Sequence, residues 1–539
     1  MKKKLFIFAI GGTGERVLRS LTMLFAAGVE SLSNYDVYPI IIDYDLKNAD
    51  KQRTVELLRN YKKIHNAAFM AHGELGLQDR QFFAADLRGV DDMEDYVFPF
   101  KPAQDNIKFR DYIGYGKFAG DTLLTEDLLQ SLYDDSQRPD TELNLDMTVG
   151  FKGNPNIGSV VFNSIASTNE FRNFLNHFQP EQEDKVVIIG SLFGGTGAAG
   201  IPEITKAINA KKEAADIATV LVLPYFSPME QKDGAVRADR FNSKTKAALS
   251  YYKNSGILNQ INRVYYIGDP HRTIIRYSEG GDTQKNNANV VELIAAMMIE
   301  HFAAGRGDAT QKEYKFSIDA SITEDNAQQS AQRLFTYDFD PISINNILLP
   351  LIRLAIALKF FHESIWEKKT SGQDFHKYLK LNNAVQVNEA SGDKSRLTVL
   401  CSTLEKFYKQ YQKWLKELDF EGNGTTLPGN SHRFALTDMK KPYADLILRP
   451  AATDKEAQEP DFWKRISKLI GNSNNKTILT DDNLMSWMNG EFKDNGNGNG
   501  HYDTTRNAIR EGHEPEYVFA DILYKASDKG LRKLTSSNN

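Results

Sequence analysis

Over its first 300 residues the chain alternates short runs that are almost wholly apolar with longer segments whose apolar residues recur every three or four positions. The apolar runs fall at residues 5–10, 37–42, 186–189, 218–223 and 263–267. Runs of this length, rich in Val and Ile and with no polar face, predict strands buried on both sides. Between them, residues 15–27 place Val17, Leu18, Leu21, Leu24 and Phe25 on one helical stripe. The same spacing predicts helices near 202–212, 235–252 and 289–302. Strand and helix in alternation predict an α/β fold, a parallel Rossmann-like sheet with helices on both faces.

The pattern is less regular from 50 to 184, where a charged, aromatic stretch (80–102) and a loop-like stretch (150–158) predict helices and an insertion over about 50–150. Beyond residue 305 long helices dominate, at 345–368 and 404–418. Short strands are expected at 433–436, 444–448 and 517–523. This divides the chain into a first domain at 1–305, a helix-rich second domain at 306–450 and a C-terminal extension at 451–539. The Asn/Gly run at 494–500 reads as a flexible loop and 536–539 as a frayed tail.

Two apolar stretches invite a membrane or export reading, and the residues argue against both. The run after Lys2, Lys3 and Lys4 stops at Gly11 with no cleavage site, which suits a first strand. The run at 347–361 is interrupted by Pro350, Arg353 and Lys359 and is too short to span a bilayer, so a buried helix is expected.

Composition narrows the chemistry. Of 539 residues 41% are hydrophobic and 25% charged, with a net charge of -5. That balance gives no general pull toward nucleic acid or anionic lipid. The single cysteine, Cys401, excludes an internal disulfide and a Cys-rich zinc site and reads as a small buried residue. The ten histidines show no His-Glu-x-x-His spacing. Ser191 is not set in a Gly-x-Ser-x-Gly elbow. The charge-rich segments 51–63 and 406–417 read as solvated helix faces, and Lys206, Lys211 and Lys212 as surface. Arg237 and Arg240 fit either a phosphate contact or simple solvation.

The sharper signals are two glycine loops. Gly11-Gly12-Thr13-Gly14 follows the first strand and opens a helix. Glycines permit close backbone approach, and a helix N-terminus offers oriented N–H donors to an anion. Alone, this fits a tight turn or most of a dinucleotide fingerprint equally. The second loop runs Ser191-Leu192-Phe193-Gly194-Gly195-Thr196-Gly197-Ala198-Ala199-Gly200 between a strand and a helix. It has no Lys-Ser/Thr pair, so it is not a Walker A loop. Two such loops suit one polyphosphate held from two sides.

In this setting Gly194-Gly195-Thr196-Gly197 resembles the signature loop of the tubulin/FtsZ superfamily, nearer to divergent bacterial tubulin-like proteins than to FtsZ. The order of elements agrees over roughly the first 300 residues. Ile40-Ile41-Ile42-Asp43-Tyr44-Asp45 resembles the strand and acidic loop near the nucleotide. Residues 219–226 resemble the strand and Pro-Phe turn beside the ribose. The resemblance implies a cytoplasmic protein that binds GTP or GDP with Mg²⁺ and assembles with itself into protofilaments or oligomers. It implies that Gly11, Gly12, Thr13, Gly14, Gly194, Gly195, Thr196, Gly197 and Ala198 hold phosphates. Asp43 and Asp45 would lie beside them, with Asp45 as the metal candidate. Pro224 and Glu230 would lie near the ribose, and Asn289, or alternatively Asn287, would read the guanine. A further protein partner would use the C-terminal region; neither nucleic acid nor membrane insertion is expected.

The chain departs from the family at Phe193 and Ala199 and in the longer interval between the loops. The third phosphate loop is expected at 112–116, where a surface turn is the alternative. The family completes GTP hydrolysis with an acidic loop of a neighbouring subunit, and its Asn-x-Asp-x-x-Asp pattern is absent after Phe302. Asp338 and Asp340 are the catalytic candidates, with helix N-caps as the plain alternative; Asp319, Glu324 and Asp325 stand in a similar order. Two rival readings are an NAD(P)-dependent Rossmann oxidoreductase using Gly12, Gly14 and Asp43 or Asp45, and a tubulin-fold scaffold without hydrolysis.

Overall fold

The computed structural model describes residues 2–45, 47–69, 81–99, 107–117, 123–133, 142–147, 150–229, 240–276, 278, 280–308, 310–317, 332–367, 396–422, 429–441, 481–490 and 515–535. Seven strands form one sheet in the order β3-β2-β1-β4-β5-β7-β9. They are β1 (Lys3–Ile10), β2 (Tyr35–Ile42), β3 (Asp86–Leu87), β4 (Lys185–Ser191), β5 (Asp216–Val222), β7 (Arg263–Gly268) and β9 (Glu313–Ser317). Every pairing is parallel. Two short parallel pairs accompany it: β6 (Phe226–Pro228) with β8 (Thr273–Ile275), and β10 (Gln332–Phe335) with β11 (His432–Ala435).

All five expected strands are in the sheet, and their uniform apolarity has a plain cause: both faces are covered. Along β1, Leu5, Ile7 and Ala9 enter one apolar core while Phe6, Phe8 and Ile10 enter the other, as the two-residue period requires. Pro39 sits inside β2 where β3 no longer lies opposite, since the β2–β3 pairing ends at Val37 with Leu87.

The first core holds the helices Gly11–Ala26, Ala49–Phe69 and Val290–Ala303; the second holds Pro155–Phe162, Asn169–His177 and Gly195–Asn209. The later helices Leu349–Phe360, Arg396–Leu418 and Pro515–Thr535 join the first core, which runs from Leu5 to Leu531. Among the described residues, no break in that core falls at the expected boundary after 305.

Two expectations about helical segments need correction. Residues 517–523 are helical, within Pro515–Thr535. Val518, Phe519, Ile522 and Ala526 are buried at helical spacing, and that longer period outweighs the short apolar run. Lys51 is not on a solvated face: it is buried, and its ammonium donates to the Asp45 carbonyl. The helix Pro341–Glu367 is the one described helix long and apolar enough to cross a membrane. More than half of its most apolar window is buried in the core. The expected strand at 444–448, the loop at 494–500, the tail at 536–539, Asp319, Glu324, Asp325 and Arg237 lie outside the described residues.

Candidate functional site

The chain builds β1, β2 and β3 outward in one direction and then places β4 on the other side of β1. In open parallel sheets such a reversal leaves a crevice at the carboxyl ends of the strands. The loops after β1 and β4 flank it, and they touch. A Cβ on Gly11 would stand 3.3 Å from the Cβ of Thr196. A third loop, residues 150–154, packs on the second: a Cβ on Gly195 would stand 2.9 Å from the Asn154 nitrogen and 3.0 Å from the Phe151 Cβ. Gly11, Gly150 and Gly153 take positive φ, which a side chain would strain.

Each loop runs straight into a helix: Gly11–Ala26, Pro155–Phe162 and Gly195–Asn209. None of the three N-caps (Ile10, Asn154 and Gly194) supplies a side-chain hydrogen bond to its helix. By contrast the helix Val290–Ala303 has a full capping box, formed by Asn289 and Glu292. At two of the three, Gly11–Ala26 and Gly195–Asn209, first-turn residues stand on the crevice wall at the positive end of the helix dipole, whereas the third helix opens with Pro155, which has no N–H, and only its preceding loop residues 150–153 reach the wall.

That crevice holds two adjoining cavities, lobes of about 160 and 190 Å³ that share part of their walls. The first lobe is lined by the three glycine loops, Asp43, Asp45, Lys152, Lys244 and Ser278. The second is lined by Tyr225, Thr273, Asn286, Asn287, Asn289, Phe420 and Asn430. Arg16, Phe226, Ile275, Arg276 and Asn286 belong to both. The Lys244 ammonium donates to the Gly153 carbonyl at 2.5 Å, and burial lowers its pKa. The first lobe thus combines amide donors with cations, and the second combines aromatic rings with carboxamides.

Arg16 stands where the lobes meet and is 2% exposed. Its guanidinium donates to Glu292 at 2.7 Å, Asp50 at 3.2 Å, Thr13 Oγ1 at 3.2 Å and Tyr225 Oη at 2.8 Å. Tyr225 in turn donates to Glu292 at 2.7 Å, and burial raises its pKa. One buried cation therefore ties the first glycine loop to the helix Ala49–Phe69, to the turn after β5 and to the helix Val290–Ala303. Behind the first loop lies an acidic group. Asn48 Nδ2 donates to Asp43 at 2.8 Å and to Glu15 at 3.3 Å. Glu15 is fully buried and its Oε1 has no hydrogen-bond partner. Burial and then the neighbouring Asp43 raise its pKa well above the usual carboxylate range.

The expected site residues separate into three groups. Gly11, Gly12, Thr13, Asp43, Asp45, Gly194, Gly195, Thr196 and Gly197 line the first lobe. Asn289 and Asn287 line the second. Asn289 is engaged, its Oδ1 accepting from the Val291 amide and its Nδ2 donating to Thr273; Asn287 has no hydrogen-bond partner among the described residues.

The second group lines neither lobe. Gly14 serves packing, since a Cβ there would stand 2.7 Å from the Ala9 carbonyl carbon. Ala198 offers its carbonyl to Tyr252, and Pro224 its carbonyl to the Asp269 amide. Asp338 accepts from the Phe335 amide, and Asp340 caps a helix through the Ile342 and Ser343 amides. Both acids therefore serve as caps, and the cavity wall holds neither.

The last group needs a different account. Glu230 lies outside the described residues. The third loop is at 150–154 and not at 112–116, because residues 109–117 form two short helical turns away from the cavity wall. Arg240 is not on the wall, whereas Lys244, one turn further along, is.

The two departures noted in the second loop have local compensations. Phe193 packs against Phe241 and Phe226, with ring centroids 4.8 and 5.3 Å apart. Ala199 meets Gly158, where a second Cβ would come within 2.7 Å of its own. No known family model matches the chain, and no curated protein matches it significantly.

Proposed function

We propose that the cavity binds a guanine nucleotide, with phosphates in the first lobe and the base in the second, and that the chain is a divergent tubulin/FtsZ-like protein. The observation that carries this reading is the meeting of two helix N-termini without side-chain caps and the glycine loop 150–153 at one crevice edged with cations. Amides so arranged suit a chain of phosphates. Lys152, Lys244 and Arg276 would add charge compensation. Asn287, whose carboxamide is uncommitted, suits a base edge that both donates and accepts. Mg²⁺ would be held mostly by phosphate oxygens and water, with Asp45, on the same wall, as the candidate acid. Among the described residues no cluster of three ligand-type side chains is present, and a phosphate-borne Mg²⁺ needs none.

In this reading the protein is cytoplasmic and self-assembles under control of the nucleotide. Any GTP hydrolysis is completed between subunits. A reading as an NAD(P) enzyme is less well supported. It needs a free acid after β2, and both candidates are engaged: the Asp43 oxygens accept from the Asp45 amide and Asn48, and the Asp45 oxygens from the Lys47 and Gly281 amides. The scaffold reading draws on the engaged Asn289 and on the capping roles of Asp338 and Asp340. Released phosphate separates it from a GTPase: steady release that rises with protein concentration supports interfacial hydrolysis, and assembly with none supports the scaffold.

A further inference from the structure

The wall of the second lobe is completed from far along the chain. Phe420 and Asn430 both follow the helix Arg396–Leu418, and the described residues beside them are held by several hydrogen bonds. Asn430 Nδ2 donates to the carbonyls of Glu417 at 2.8 Å, Leu418 at 3.3 Å and Ala288 at 3.3 Å. Its amide donates to the Phe420 carbonyl at 2.9 Å. A Cβ on Gly429 would stand 2.5 Å from the Glu421 carbonyl, so only glycine permits this approach. Phe420, half-buried and without an aromatic neighbour among the described residues, lines the cavity. Phe226 differs, since it packs among Phe193, Tyr225 and Phe241.

The same helix end is wired to the first glycine loop. Glu417 accepts from the Ala288 amide at 3.0 Å and pairs with Arg53, and it lies 3.9 Å from Arg19. Arg19 and Arg53 each stand 3.6 Å from Asp50, the acid that also holds Arg16. The last turn of the helix Arg396–Leu418 thus fixes one wall of the second lobe and one end of the buried charge network.

We infer that Phe420 stacks on the nucleobase, and that base binding is thereby linked to the seating of the helix Arg396–Leu418. This rests on the nucleotide reading above. A flat aromatic ligand against an uncommitted ring gains stacking energy that a base-free ligand cannot. A ligand that binds Phe420 favours the conformation in which Phe420 and the helix before it are docked.

The test uses the full chain with Mg²⁺ and two probes, GTP and inorganic tripolyphosphate, on wild type, Phe420→Ala and Phe420→Tyr. Binding is measured together with amide hydrogen exchange of residues 396–418. Phe420→Ala should lose at least about tenfold in GTP affinity and nothing in tripolyphosphate affinity, and Phe420→Tyr should keep both. GTP should slow exchange in the helix, tripolyphosphate should not, and Phe420→Ala should abolish the difference. Equal GTP affinity in wild type and Phe420→Ala overturns the inference while leaving the nucleotide reading intact. So does equal protection by both probes. A wild type that binds tripolyphosphate but no nucleotide overturns both.

Discussion

Single residues of the site make opposite electrostatic contributions, and each leads to a measurable outcome. Glu15 is a carboxyl with one buried oxygen unpaired, so its ionised form is costly. Its folded pKa lies above its unfolded value near 4.5, so the folded state holds the proton more tightly. Its contribution to stability is complete below that value and is lost as pH rises through the folded pKa. Glu15→Gln should therefore raise the melting temperature at neutral pH and flatten the fall in stability above pH 4.5, as thermal melts across pH would read. An unchanged pH profile would show that Glu15 does not carry the proton.

Arg16 is the reverse case. Removing it leaves Glu292 and Asp50 buried and short of their partner, and breaking a buried pair costs about 3–5 kcal/mol. Arg16→Met should be strongly destabilised in denaturant titration. Lys244 lines the first lobe, and the hydrogen bond described for its ammonium goes to the Gly153 carbonyl, so under the proposed function it serves the ligand more than the core. Lys244→Ala should leave melting nearly unchanged while weakening nucleotide binding about ten- to hundredfold, the worth of one charged hydrogen bond.

At the scale of elements, the critical feature is how closely the loops approach. The Asn154 nitrogen next to Gly195 belongs to the backbone and has no flexible end to swing aside. Gly195→Ala should displace the third loop from the second and abolish binding without unfolding the sheet, seen as lost nucleotide titration with an unchanged circular dichroism spectrum. The same scale explains what could be read from the sequence. The five strands were legible because burial on both faces leaves no polar position in them. β3 was not, being two residues long, and β9 was not, because Glu313, Tyr314, Lys315, Phe316 and Ser317 alternate like an edge strand.

The first two glycine loops were legible because each follows an apolar strand. The third was legible only as a loop-like stretch at 150–158, since no apolar strand before it tied it to the other two. Arg16 and Lys244 were hidden for another reason. Arg16 finds its partners 34 and 276 positions away, and Lys244 reaches Gly153 across 91. Composition and periodicity carry no record of such distances. Phe420 and Asn430 were hidden in the same way, since no motif in the late part of the chain ties them to the glycine loops.

At the scale of the molecule, one apolar core joins the sheet to helices from both ends of the chain. The site is assembled from the loops of the sheet and residues beyond 418. A ligand spanning both lobes would contact the start, the middle and the late part of the chain at once, which is the arrangement expected of a protein whose shape answers to its ligand. We propose above all that two converging helix N-termini and the loop 150–153 cradle the phosphates of a guanine nucleotide. The most direct test is equilibrium binding of labelled GTP, GDP, ATP and NAD with Mg²⁺ to wild type and Thr196→Ala, with light scattering followed in the same cuvette. The account predicts GTP-selective binding with rising scatter, and both signals weakened in Thr196→Ala. A folded wild type that binds none of the four, or that binds NAD alone, would contradict it.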